Sequence, residues 1–94
     1  IENFPDYAEG WNRRATLHYI LGNLDESVAD IEKVLELEPR HFGALSGLGL
    51  VFLQQKQLSK AKQAFENLVD LHPNSPNAQE NLRRVTEDIR LNVI

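Results

Sequence analysis

The chain has 94 residues, 41% of them hydrophobic, with no cysteine and a net charge of −4. That length permits one small domain, which buries about 60–65% of the surface its unfolded form exposes. The composition excludes disulfides, thiolate catalysis and zinc–sulfur sites, offers no apolar run of the roughly 20 residues a membrane span needs, and disfavours general nucleic-acid binding, which needs clustered Lys and Arg.

In chain order, the opening IENFPDY reads as the end of a helix from a longer protein, with residues 1–4 as a helical stub. Asp6 and Glu9 then form a D-x-x-E capping box that starts a first helix. Gly22 stops it, because glycine tolerates a left-handed backbone. Asn23 and Glu26 form a second box, and Val28, Ile31, Val34, Leu35 and Leu37 follow at helical spacing up to Pro39. A third helix is expected from about residue 42 to 55 and a fourth from 58 to 71, ended by Pro73. Ser75 and Pro76 supply an N-cap and a first-turn proline for a fifth, which puts Ala78, Leu82, Val85 and Ile89 on one stripe.

The chain repeats itself. Pro5, Pro39 and Pro73 are spaced by 34 residues, and in that register Leu24 matches Leu58, Ile31 matches Phe65 and Val34 matches Leu68. Leu17 matches Val51 and Val85, and Gly10 matches Ala44 and Ala78. A fixed period of this length marks a stacked array of helical hairpins, in which one pair cannot bury its stripe but neighbouring pairs together can. Ala15, Ser27, Gly49 and Ala61 are the small residues that let paired helices approach. The glycines of GALSGLGL belong to such a crossing, because the stretch lacks the strand and the G-K-[ST] ending of a phosphate loop.

Leu48, Gly49, Phe52, Ala61, Phe65, Leu68 and Pro73, with Trp11, Ala15, Gly22, Ile31, Val34 and Pro39 one period earlier, resemble the tetratricopeptide repeat pattern. The chain departs from that pattern at Arg14, His18 and Ser27. The resemblance implies an all-α, right-handed solenoid of 34-residue helix-turn-helix repeats: the end of a preceding repeat at 1–7, full repeats at 8–41 and 42–75, and a capping helix or the start of a third repeat at 76–94. It implies a non-catalytic scaffold that binds a protein or peptide in a concave groove, carried here by Asn12, Thr16, Tyr19, Ile20, Ser46, Leu50, Leu53, Gln54 and Arg84. One subgroup of the family clamps acidic chaperone tails with several cations. The corresponding positions here carry Asn12, Thr16, Gly47 and Glu80, with Arg84 the one cation, so that ligand is not expected. A ligand with apolar anchors and backbone hydrogen bonds suits the lining better.

The alternative function is self-association through exposed solenoid ends, and a monomer or weak homodimer is expected. No cofactor, metal, nucleic acid or membrane insertion is implied, and a soluble, cytoplasmic chain is the expectation. Tyr19, Ile20, Leu50 and Leu53 are either ligand anchors or packing between repeats. His18, His41 and His72 read as packing and surface residues, since a metal needs converging ligands. The acids of the second helix (Asp25, Glu26, Asp30, Glu32, Glu36, Glu38) read as a solvated outer face, and Lys56, Lys60 and Lys62 as a small basic cluster. Arg14 lies on the apolar stripe among Trp11, Leu17 and Leu21 and is read as a structural cation paired with Glu26 or Asp30, the alternative being a ligand contact. On that reading Arg14→Leu is tolerated or stabilising, and loss of its partner is the more damaging change.

Overall fold

A computed structural model of the chain describes residues 7–92. They form five helices, α1 (Tyr7–Leu21), α2 (Leu24–Leu37), α3 (Phe42–Gln54), α4 (Leu58–Leu71) and α5 (Pro76–Asn92), with no strand among the described residues. The stub at 1–4 and Asp6 of the first capping box lie outside the described residues. Short connections turn each helix back against the one before it, and the array measures 47 × 29 × 17 Å.

The period of 34 is visible in the turns. At Gly22 the backbone takes a φ of +82°, and the N–H of Asn23 donates to the carbonyl of His18 at 2.8 Å. One period later Lys56 takes a φ of 60°, and the N–H of Gln57 donates to the carbonyl of Phe52 at 2.9 Å. Glycine enters this left-handed turn freely, whereas the Cβ of Lys56 crowds the following carbonyl. The N-caps of α3 and α5 repeat as well. His41 Nδ1 accepts from the N–H of Ala44 at 3.0 Å, and Ser75 Oγ accepts from the N–H of Ala78 at 3.3 Å. Asn23 holds the N-cap position of α2, but its side chain makes no cap; it turns towards His18 Nδ1 instead, at 3.5 Å. The second capping box is therefore absent.

The core is two joined clusters. Ala8, Ala15, Ile31, Val34, Ala44 and Val51 form one, and Leu45, Ala61, Phe65, Leu68, Ala78 and Val85 the other, with Leu35 packed against both. All four predicted crossing residues are buried. Ser27 stands where the later pair has Ala61, and its hydroxyl donates to the carbonyl of Ala15 at 2.7 Å, so its burial leaves no unpaired oxygen. The two crossings match in volume. Ala15 faces α2, which carries Ile31, whereas Gly49 lies directly against the larger ring of Phe65. A Cβ on Gly49 would stand 2.4 Å from Phe65 Cε1. The same register in α5 holds Arg83, exposed and paired with Glu80.

Arg14 is a structural cation held by Asp30. Its Nε and Nη2 each donate to one Asp30 carboxylate oxygen, both at 2.8 Å, and its guanidinium carbon sits 4.7 Å from the centre of the Trp11 ring. His18 Nε2 lies 3.9 Å from the same carboxylate. Donating to the Asp30 carboxylate raises the Arg14 pKa above its ordinary value, against a smaller opposing effect of burial. Two expectations change. Leu17 and Leu21 are 53% and 63% exposed and do not pack around Arg14. The buried partner is the acid: the Asp30 side chain is 5% exposed and that of Arg14 48%. Removing Asp30 leaves a guanidinium that water can reach, while Arg14→Leu strands a buried carboxylate, so Arg14→Leu is the damaging change. Asp30 likewise leaves the solvated acidic face, whose other members are exposed.

Candidate partner-binding groove

The first helices of consecutive hairpins lie side by side, and α1 and α3 leave a groove floored by α2. The groove deepens into a cavity of about 400 Å³. Its α1 wall is Asn12, Thr16, Tyr19 and Ile20; its α3 wall is Phe42, Ser46 and Leu50; Ser27 and Ile31 form the floor. The cavity opens because α3 contributes Gly43 and Gly47 to its wall, and there is room for a Cβ at Gly47, 3.6 Å from Ile31 Cδ1. One period further, α5 carries the bulkier Asn77, Glu80 and Asn81 where α3 has Gly43, Ser46 and Gly47.

Six of the nine expected groove residues therefore meet around one cavity: Asn12, Thr16, Tyr19, Ile20, Ser46 and Leu50. The other three stand apart. Leu53 packs against the second core cluster and borders a separate hollow with Lys56, Leu58 and Asp88. Gln54 and Arg84 are exposed and border none of the hollows between the helices described here. Tyr19 packs against the first core cluster and also lines the cavity. Ile20 is 71% exposed, the most open of the large apolar side chains.

The place of Phe42 and the capping role of His41 escaped the sequence reading. Phe42 opens α3 at the cavity mouth and makes an edge contact with the His72 ring, centroids 4.8 Å apart. His41 caps α3 and places Nε2 3.4 Å from Glu9 Oε1, so it ties the start of α3 to α1 at the groove's edge. Its correspondence with Ser75, 34 residues on, was the available signal.

The electrostatics of the lining are plain: among the described residues, no charged side chain borders the cavity. The Thr16 hydroxyl donates within α1 to the carbonyl of Asn12 at 3.0 Å. The Asn12 amide and the Ser46 hydroxyl, equivalent positions one period apart, make no hydrogen bond among the described residues and remain available to a ligand. Outside the groove, Glu80 and Arg83 form a 2.6 Å ion pair, and Glu87 and Arg90 one of 2.5 Å, along α5. Among the described residues no group of His, Asp and Glu is placed to hold a metal ion, and no helix is long and apolar enough to cross a membrane.

Known proteins share this architecture. The chain is 45% identical over 85 residues to a TPR repeat-containing protein of Rhizobium etli, a match covering 90% of this chain and 42% of that protein. It is 28% identical over 89 residues to Hsp70-Hsp90 organizing protein 1 of Glycine max, covering 95% of this chain and 16% of the relative. The chain thus spans less than half the length of these relatives. Among solved structures, the first TPR of Spaghetti (RPAP3) bound to the HSP90 peptide SRMEEVD superposes with a TM-score of 0.84 at 22% identity, over 92% of this chain and 68% of that one. The Sgt2 TPR domain from Aspergillus fumigatus gives 0.81 at 23% identity, over 92% and 58%. The tetratricopeptide repeat family profile matches residues 12–76, and with the helical hairpins, the 34-residue period and the bacterial relative it shows that this chain belongs to the tetratricopeptide repeat family.

Proposed function

We propose that the chain is a non-catalytic binding module that holds a segment of a partner protein in the groove between α1 and α3, with residues 8–41 and 42–75 as its two repeats and 76–94 as a cap. One observation carries this reading: an open, uncharged cavity whose walls expose Ile20 and Leu50 to water beside unpaired polar side chains. Pockets that bind ligands have this character, apolar with a few well-placed polar groups. The peptide-bound RPAP3 domain and the chaperone-organizing relatives support it by likeness of fold and sequence.

Nuclear magnetic resonance of the isotope-labelled chain tests the reading, with a pool of random heptapeptides as the titrant. Binding in the groove shifts the amide signals of α1 and α3 around Thr16 and Leu50, and Leu50→Glu abolishes those shifts. Shifts confined to the outer faces of α2 and α4 would refute the proposal.

A further inference from the structure

The cavity also constrains what the ligand is, an argument that rests on the groove being the binding site. Its walls hold no cation to meet a carboxylate, and a carboxylate drawn into an apolar cavity without a partner loses its hydration uncompensated. The cations nearest in sequence register are engaged or elsewhere. Arg14 is held by Asp30 and Arg83 by Glu80, while Arg84 stands on α5 outside the cavity.

What the groove does offer is an apolar slot, walled by Tyr19, Ile20, Phe42 and Leu50, with one unpaired hydrogen-bonding side chain on each helix. Asn12 brings both a donor and an acceptor, matching the N–H and C=O of a peptide backbone; Ser46 brings a hydroxyl. They occupy the same position in successive repeats, and the Asn12 amide nitrogen reaches to within 3.4 Å of where a Cβ on Gly43 of α3 would stand, so both polar groups serve the α3 side of the slot.

We infer that the groove takes an uncharged segment from within a partner chain, its backbone hydrogen-bonded by Asn12 and Ser46 and one aromatic or branched aliphatic side chain seated between Ile20, Phe42 and Leu50. A free C-terminal carboxylate contributes nothing to this binding.

Selection from a displayed random heptapeptide library tests it, followed by affinity measurements on the enriched peptides in free-acid and C-terminally amidated forms, with SRMEEVD measured beside them. The expected result is enrichment of peptides with one large apolar residue and no conserved acid, equal affinity for the two forms within about twofold, and at least tenfold weaker SRMEEVD binding. Leu50→Glu and Asn12→Ala each weaken the enriched peptides about tenfold, and circular dichroism establishes that both variants are folded. Enriched acidic peptides that lose affinity on amidation, yet still depend on Leu50, would overturn the inference and leave the groove as the binding site. Enriched peptides indifferent to Leu50→Glu, or a library that yields none, would overturn both.

Discussion

Replacing Gly49 by alanine tests the packing logic of the array. A Cβ there would stand 2.4, 2.5 and 2.8 Å from Phe65 Cε1, Cζ and Cδ1. Carbon atoms in good contact are about 3.5–4.0 Å apart, so the ring must retreat by about 1 Å. It has nowhere to go, because Phe65 is wholly buried in a cluster with Ala61, Leu68 and Val85. Overpacking of this kind costs about 1–3 kcal/mol, and a wholly enclosed ring belongs at the upper end. Alanine returns about 1 kcal/mol through its better helix propensity. The net loss is about 2 kcal/mol, which for a domain of this size lowers the melting temperature by about 10 °C. Gly47→Ala is the internal control. Its Cβ meets Ile31 Cδ1 at an ordinary 3.6 Å, so only the propensity gain remains and the variant is stabilised by up to about 1 kcal/mol. Phe65→Ile in the Gly49→Ala background recreates the Ala15–Ile31 combination of the earlier pair and recovers at least about 1 kcal/mol relative to additive losses. Urea denaturation followed by far-ultraviolet circular dichroism reads the parent, the Gly49→Ala, Gly47→Ala and Phe65→Ile single variants and the double variant. A Gly49→Ala variant as stable as the parent, or losses that simply add in the double variant, would refute the reasoning.

Three further outcomes follow from the structure. Lys56→Gly relieves the left-handed turn that Gly22 makes without strain and raises stability by about 1 kcal/mol in thermal denaturation. Arg14→Leu lowers the urea midpoint more than Asp30→Asn does, because only the first strands a buried charge; the reverse order would show that Arg14, not Asp30, is the desolvated partner. Glu80 titrates below the ordinary glutamate range, chiefly because it accepts a hydrogen bond from Arg83 and further because of the charges of Arg83 and Arg84, with burial opposing them. Its depressed folded-state pKa contributes stability that is present above the unfolded glutamate value and lost as pH falls through the folded one. Arg83→Gln moves the carboxyl midpoint upward in an NMR titration.

Much of the fold was legible because its information is periodic. Prolines, small crossing residues and apolar positions recur every 34 residues, and α4 runs between the residues expected for it. Local competition was not legible. Asn23 carries the right residue type for a cap, yet its side chain turns to His18, and a histidine does the capping at α3. The pairing of Arg14 was anticipated, but which partner is buried is set by the packing of α2 against its neighbours, and a motif does not record that. The groove was legible as far as helix periodicity reaches, hence the six residues that converge on α1 and α3. Leu53, Gln54 and Arg84 were placed by the same rule and lie away from that cavity, whose α3 wall includes glycines that α5 does not repeat.

The series Ala15, Gly49, Arg83 gives the stack a direction. At the first two positions a second helix crosses closely; at the third a guanidinium, bound to Glu80, stands in the way. A helix laid across α5 as α4 lies across α3 would have to strip that ion pair of water and find room for it. The opposite face, on α1, shows Leu17 and Leu21. In α3 and α5 the residues equivalent to Leu17 are Val51 and Val85, both buried. Laying a second helix across α5 first requires residue 83 to become small.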